Sequence, residues 1–270
     1  MSTKVYLLSY TPMIERVCAA AMRSCYSNKP AHELFLDQQN FTEQDVELLI
    51  KKAVELGHYS VLEHGSLTFS LQGISRALTH QLVRHRMASF SQQSQRHVNV
   101  RGDGQWYIIP ISLKNGEEKI SYDEKEIEIS YEKFMKLVAE YYKRLLNKAS
   151  KEDARFILPN GTLTHITLTA NPRELRHICS LRCDPAAQWE IRDVCWTMLA
   201  LSYLIAPNIF ATLDPPAKNS KEALEMLEKL KNVVDGQREG FNKLCQGTVY
   251  KLDLEGLKLE HKVEGYIIKI

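Results

Sequence analysis

The spacing of apolar and polar positions changes repeatedly along this chain, and each change marks an element. The opening run, MSTKVYLLSYTPM, reads as a short strand and is too brief in its apolar part for a signal peptide. A helix is predicted over 42–56, with Thr42 as N-cap, acids in the first turn and Gly57 as the stop. SLTFSL, at 66–71, alternates and reads as a strand. ISRALTHQLVRH, at 74–85, stacks Ile74, Leu78 and Leu82 on one side, as a helix would. A longer helix is predicted over 122–148, with Phe134, Leu137, Val138, Tyr141, Leu145 and Leu146 turned inward and charge outside.

Caps announce the later helices. Asn171-Pro172-Arg173-Glu174 offers an Asn N-cap, Pro at the first helical position and Glu at the third. Asp184-Pro185 repeats the device and predicts a helix running through AAQWEIRDVCWTMLALSYLIA to Pro207. It is apolar over most of its circumference and so belongs to the core, with Trp189 among the core residues. Ser220 starts another helix ending near Gly236, and 248–270 alternates enough to suggest strands. Strands mixed with segregated helices, without internal repeats, predict an α/β chain of the α+β kind: a central antiparallel sheet packed with helices.

Composition narrows the class. With 44% hydrophobic and 25% charged residues, the chain is an ordinary globular one, and no window approaches a membrane span. Six cysteines in 270 residues show no disulfide pattern, so a cytoplasmic location is expected. The formal charge is only +2, so any basic ligand site must be local.

One region is locally basic. Between His64 and Gly102 there is no Asp or Glu, yet the same window holds Arg76, Arg84, Arg86, Arg96, Arg101 and the histidines His64, His80, His85 and His97. Guanidinium groups without carboxylates are suited to anions, because their fork matches phosphate and carboxylate geometry. On the 74–85 helix, His80, Gln81 and Arg84 would share a face. The Ser/Gln-rich run after Arg86 offers hydroxyl and amide groups for a uracil-like edge or a phosphate. The plainer alternative is a solvated basic face with packed histidines. Two features count against it: the charge is interleaved with Ser and Gln instead of Lys, and acids are missing across three successive elements.

The tract RHRMASFSQQSQR, at 84–96, resembles the RHRxxSxxxxSxR signature of flavin-dependent thymidylate synthases, with Arg84, His85, Arg86, Ser89, Ser94 and Arg96 at the fixed positions. HYSVLEH upstream, and ARFILP, NPRELRH and LRCDPAAQWEI downstream, resemble family blocks in the expected order. The likeness covers most of residues 1–210, giving an expected synthase domain over 1–215 and a C-terminal extension of unassigned role over 216–270.

The resemblance implies conversion of dUMP to dTMP, with methylenetetrahydrofolate supplying carbon, FAD as cofactor and NADPH reducing the flavin. It implies that Gln81, Arg84, Gln92, Ser94, Gln95, Arg96, Arg155 and Arg182 hold dUMP, and that Ser60, Arg84, His85, Arg86, Gln92, Asn171, Arg173 and His177 contact FAD. Gln92 stands where the family often has Glu, His97 replaces a common Tyr, and Ala186 a position that is sometimes His. Arg182, expected in a turn between helices, is the candidate catalytic residue: a fixed guanidinium beside uracil N3 favours the N3 anion and activates C5 without a covalent enzyme bond. The resemblance also implies a homotetramer with shared active sites, and no Rossmann glycine motif is present.

Other chemistries fit less well. Cys179, Cys183 and Cys195 with His177 lack a C-x2-C pair, so no metal site is expected there. His58 and His64 flank Glu63 without the helical H-E-x-x-H spacing. The rival class is a basic nucleic-acid-binding protein, but between Arg76 and Arg101 only Phe90 is available for base stacking, so no nucleic acid partner is expected.

Overall fold

The computed structural model describes residues 2–100, 105–114 and 116–270; Arg101, counted in the acid-free tract, lies outside the described residues. Six strands form one sheet in the order β3-β6-β2-β1-β8-β7. They are β1 (Thr3–Tyr10), β2 (Leu67–Ser75), β3 (Ser89–Gln92), β6 (Leu163–Ala170), β7 (Val249–Leu252) and β8 (Val263–Ile268). Neighbours run antiparallel except β1 and β8, which are parallel from Thr3↔Val263 to Leu7↔Ile267. Strands β4 (Glu117–Tyr122) and β5 (Lys125–Ser130) make a separate exposed hairpin.

The helices are α1 (Ile14–Ser24), α2 (Ala31–Leu36), α3 (Glu43–Glu55), α4 (Arg76–Leu82) and α5 (Tyr131–Leu145). They continue with α6 (Lys151–Ala154), α7 (Pro172–Arg182), α8 (Trp189–Ile205), α9 (Pro207–Phe210) and α10 (Lys221–Asn242). The sheet alternates as a one-sided sheet should: Val5, Leu7, Leu67, Phe69, Leu71, Ile166 and Leu168 are buried, while Lys4, Tyr6, Thr68, Ser70 and Thr167 between them are half-exposed. Helix α8 packs on the buried face, and Val194, Leu199 and Leu201 are at most 1% exposed; each such side chain contributes roughly 1.5–3 kcal/mol of transfer free energy.

Local chemistry explains the boundaries that the sequence placed well. Thr42 accepts from Asp45 N while the Asp45 carboxylate takes the Thr42 N–H, closing a capping box on α3, and Gly57 turns the chain at φ 72°. Asn171 accepts from Glu174 N at 2.9 Å to start α7.

Several expectations need correction. The helix predicted over 74–85 is only α4, because Ile74 and Ser75 still pair with Thr164 and Leu163 on β6. Gly73, at φ 70°, permits the bulge that keeps them in the ladder. The helix predicted over 122–148 begins at Tyr131, since residues 117–130 alternate and pair as the β4–β5 hairpin. On α5 the buried residues are Met135 and Tyr142, whereas Phe134, Leu137 and Tyr141 are exposed. Asp184-Pro185 opens no helix: Asp184 accepts from Ala186 N in a turn, and α8 starts at Trp189 behind the Gln188 cap. Trp189 itself is half-buried, edge-on to His261 at 5.0 Å.

Helix α10 passes Gly236 and runs to Asn242, because burial of Leu227, Leu230, Val234 and Phe241 outweighs the roughly 1 kcal/mol that each helical glycine costs. Residues 216–270 add α10, β7 and β8, and β8 lies in register beside the first strand of the chain.

Candidate active site

Helix α4 organises the site from its two ends. At its start, Ser75 caps the helix by accepting from Leu78 N. The buried Glu190 carboxylate of α8 takes the Ser75 N–H at 2.7 Å and its hydroxyl at 2.5 Å. Burial raises the Glu190 pKa, but these two donors offset part of the desolvation. The acid therefore ties α8 to the first turn of α4.

Around that first turn sit Arg76, Arg155, Arg96 and the 93–95 segment. Arg76 Nη1 donates to Gln93 O at 3.4 Å. Its pKa is lowered by burial and then by the nearby Arg155 guanidinium, so two cations crowd together here. Arg155 Nε donates to Glu152 O, and Arg96 Nη1 reaches Glu152 Oε1 at 3.1 Å in an exposed ion pair. Ser94 Oγ accepts from Arg96 N, and Ser94 and Gln95 line a cleft with Gln93, Asn99 and Trp106. Gln92, on β3, donates to Thr79 Oγ1 at 2.9 Å and so lies beneath this region, turned toward α4.

The other end of α4 presents Gln81, Arg84 and His85. Arg182 is the last residue of α7, not part of a turn; its Nε donates to His85 Nε2 at 3.1 Å and its Nη2 to Gln81 O at 3.3 Å. His85 is 5% exposed and Glu174 is 7% exposed, with 3.9 Å between His85 Nδ1 and Glu174 Oε1. Burial, then Arg182, then His177 push the His85 pKa down to about 4. Arg84 is exposed, with its Nε on His80 O, and Arg86 is exposed; neither forms an ion pair among the described residues.

Beside this end opens a cleft of about 470 Å³ lined by Tyr59, Glu63, Asn171, Arg173, His177 and Asp214 among others. Arg173 and His177, one turn apart on α7, both face it; Arg173 pairs with Glu63 at the surface. Asn171 uses its carboxamide oxygen as the α7 cap, which leaves its amide N–H groups for a ligand. Ser60 is exposed on the short 3₁₀ helix Tyr59–His64, whose Tyr59 and Glu63 line the cleft; His58 and His64 are exposed at its ends. The floor is rigid: Arg176, 4% exposed, forks onto Asp214 at 2.7 and 3.1 Å, and Tyr59 donates to the same carboxylate at 2.8 Å.

The expected residues thus fall into two groups. Gln81, Arg84, His85 and Arg182 meet at one end of α4, next to the cleft with Asn171, Arg173 and His177. Ser94, Gln95, Arg96 and Arg155 gather at the other end. From Arg76 to Leu82 the helix rises six residues, roughly 9 Å. Arg76, Tyr59, Glu174, Arg176 and Asp214 join these groups without being among the residues expected to bind a ligand. Arg76 was marked by its place in the acid-free tract, and the others carry no local signal, because their partners are distant in the chain. Cys179, Cys183 and Cys195 are buried in the core, and no group of three possible ligands forms a metal site among the described residues. Burial raises the Cys183 and Cys195 thiols well above their ordinary range, which makes both poor nucleophiles.

The described residues define a mixed α/β class of protein, with a six-stranded sheet, arginines gathered at both ends of α4 and a cleft of about 470 Å³ beside its C-terminal end. Comparison with known proteins makes the class specific. The sequence model of the family described as "Thymidylate synthase complementing protein" matches residues 6–208. Flavin-dependent thymidylate synthase from Geobacter sulfurreducens is 45% identical over 213 residues, covering 78% of this chain and 87% of the relative. The Clostridium tetani enzyme of the same name is 38% identical over 228 residues, covering 81% and 90%. Among solved structures, the UMP/dUMP methylase PolB from Streptomyces cacaoi with 5-Br dUMP superposes with a TM-score of 0.62 at 23% identity, covering 77% of this chain and 93% of that one. Thymidylate Synthase X from Helicobacter pylori, with FAD and dUMP, gives 0.55 at 20% identity, covering 77% and 99%. The chain belongs to the flavin-dependent thymidylate synthase family.

Proposed function

We propose that the protein methylates dUMP to dTMP, taking the carbon from methylenetetrahydrofolate and the reducing equivalents from NADPH through FAD. The carrying observation is the pair of uncompensated guanidinium groups at each end of α4, within a chain 45% identical to a named synthase.

The residues present fit a flavin dinucleotide. The 470 Å³ cleft offers Arg173, His177 and the free amide of Asn171; Met87 also lines it, and exposed Arg84 and Arg86, just before Met87 in the chain, have no carboxylate partners among the described residues. When bound, FAD supplies the hydride. The chain's own contribution is binding and electrostatics. Arg96, Arg155, Ser94 and Gln95 take the dUMP phosphate and sugar, with Gln92 beneath them. Arg182, with Gln81 and Arg84 beside it, faces the uracil ring. Its guanidinium favours loss of the N3 proton, and the resulting anion pushes density toward C5, which attacks the one-carbon unit. No thiol nucleophile is required, in keeping with the inert Cys183 and Cys195.

Each active site closes between subunits of a homotetramer, the residues at one end of α4 in one subunit meeting those at the other end of α4 in the next. Exposed Phe134, Leu137 and Tyr141 on α5, with Phe156 at 82% exposure beside Arg155, supply apolar surface for such assembly. All six cysteines are free, which suits a cytoplasmic enzyme, and no described helix is long and apolar enough to cross a membrane. The residues 1–215 would form the synthase domain, with 216–270 as an extension bracing the sheet.

The test is direct. Purified protein should be yellow, and under anaerobic conditions with all three substrates should form dTMP detectable by mass spectrometry. Colourless protein that makes no dTMP and binds DNA with steep salt dependence would point to a nucleic-acid-binding protein instead.

A further inference from the structure

Helix α7 begins with Glu174 in its first turn and ends with Arg182, and one buried imidazole stands between the two. His85 Nε2 is 3.1 Å from Arg182 Nε, while His85 Nδ1 is 3.9 Å from Glu174 Oε1. The Arg182 Nε–H can only donate, so His85 Nε2 accepts and the ring proton resides on Nδ1, on the Glu174 side. The backbone of His85 is also occupied: its N–H donates to Leu82 O and its carbonyl accepts from Ala88 N. Arg182 is gripped at Nε by His85 and at Nη2 by Gln81 O, while Nη1 makes no hydrogen bond among the described residues.

We infer that His85 is a positioning residue for Arg182: its neutral ring, with the proton on Nδ1 facing Glu174, fixes the guanidinium so that the edge bearing Nη1 is presented to the pyrimidine. This role differs from the flavin contact expected for His85, whose ring is buried against α7. It rests on the assignment of Arg182 to N3 activation made above. A protonated ring would donate where acceptance is needed and would repel the guanidinium. The depressed pKa of about 4 keeps the ring neutral at physiological pH.

Gln and Met resemble His in length, but only Gln places an acceptor oxygen where Nε2 stood; Asn places one nearer Nδ1. The full-length wild type, His85→Met, His85→Gln and His85→Asn are compared for kcat, for KM toward dUMP and for flavin per subunit. Losing one orienting hydrogen bond predicts that His85→Met lowers kcat about tenfold, leaving KM within about twofold and flavin content unchanged. His85→Gln should recover kcat to within about threefold of wild type, ahead of His85→Asn. A role confined to core packing would treat Met and Gln alike, so equal kcat in these two variants overturns the inference, as does wild-type kcat in His85→Met. If the Met variant does not fold, the Gln and Asn variants decide: equal kcat in those two also overturns it. A wild type that forms no dTMP sinks the functional reading and this inference with it, whereas an active wild type with insensitive variants sinks the inference alone.

Discussion

The two ends of α4 hold arginines in opposite circumstances. Arg182, at the C-terminal end, is half-buried with two of its donors on His85 and Gln81. Arg76 and Arg155, at the N-terminal end, crowd each other without a carboxylate partner among the described residues, and Arg96 nearby pairs with the exposed Glu152. The first arrangement fixes a charge in direction, as stabilising a developing anion requires. The second leaves charge unsatisfied, which favours capture of a phosphate. Orientation is built at one end and attraction at the other.

The sharpest way to break this contrast is Arg182→Ala. If the C-terminal arginine works by orientation, kcat should fall roughly 10²–10³-fold, while KM for dUMP changes far less and flavin stays bound. Near-normal turnover would show that the guanidinium is a bystander. The N-terminal end should respond in the complementary way. Arg155→Ala removes a charged hydrogen bond, so dUMP affinity should weaken about 10- to 100-fold, with kcat at saturation largely kept. Rising salt should also weaken dUMP binding to wild type, and less so to the variant. Isothermal titration across a salt series checks both.

These contrasts divide along the line between what was legible in the sequence and what was not. Capping chemistry is local, so Thr42, Asn171 and Ser220 marked their helix starts correctly. The residues of the signature were equally plain, because fixed spacing survives without coordinates. The circumstances of each arginine were not. Glu174 reads as a cap residue, yet its buried carboxylate faces His85, 89 positions back by number, 174 minus 85. Glu190 sits in the first turn of the apolar helix α8, and its carboxylate holds the Ser75 cap of α4. Such pairs form only once the sheet brings α7 and α8 against α4. One miss was avoidable: LTHITLTA alternates β-branched residues and is β6, the strand that pairs with β3 of the signature.

Acid titration sharpens the orienting end. His85 has its pKa lowered from 6.5 to about 4 in the folded protein, so between those values the unfolded chain binds more protons. The sign follows: this group's contribution to stability is fully present above pH 6.5 and is lost as pH falls toward 4. The thermal midpoint of wild type should therefore drop over that window more steeply than that of His85→Gln, which cannot titrate. Parallel curves would mean that the imidazole is not held neutral by burial and Arg182.

The smallest effect is expected from Glu152→Gln, and it probes the attracting end alone. The Arg96–Glu152 pair is more than half exposed on both sides, at 53% and 59%, so water and salt screen it. Losing it should change stability by under about 0.5 kcal/mol. The same carboxylate competes with any phosphate for Arg96, and it adds negative charge beside Arg155, whose Nε already rests on the Glu152 carbonyl. Neutralising it leaves the backbone carbonyl in place and releases the guanidinium. Affinity for dUMP should then rise, by about fivefold at most for one exposed pair. Weaker binding in Glu152→Gln would mean that the carboxylate aligns Arg96 for the nucleotide, and the N-terminal end would then be oriented as well.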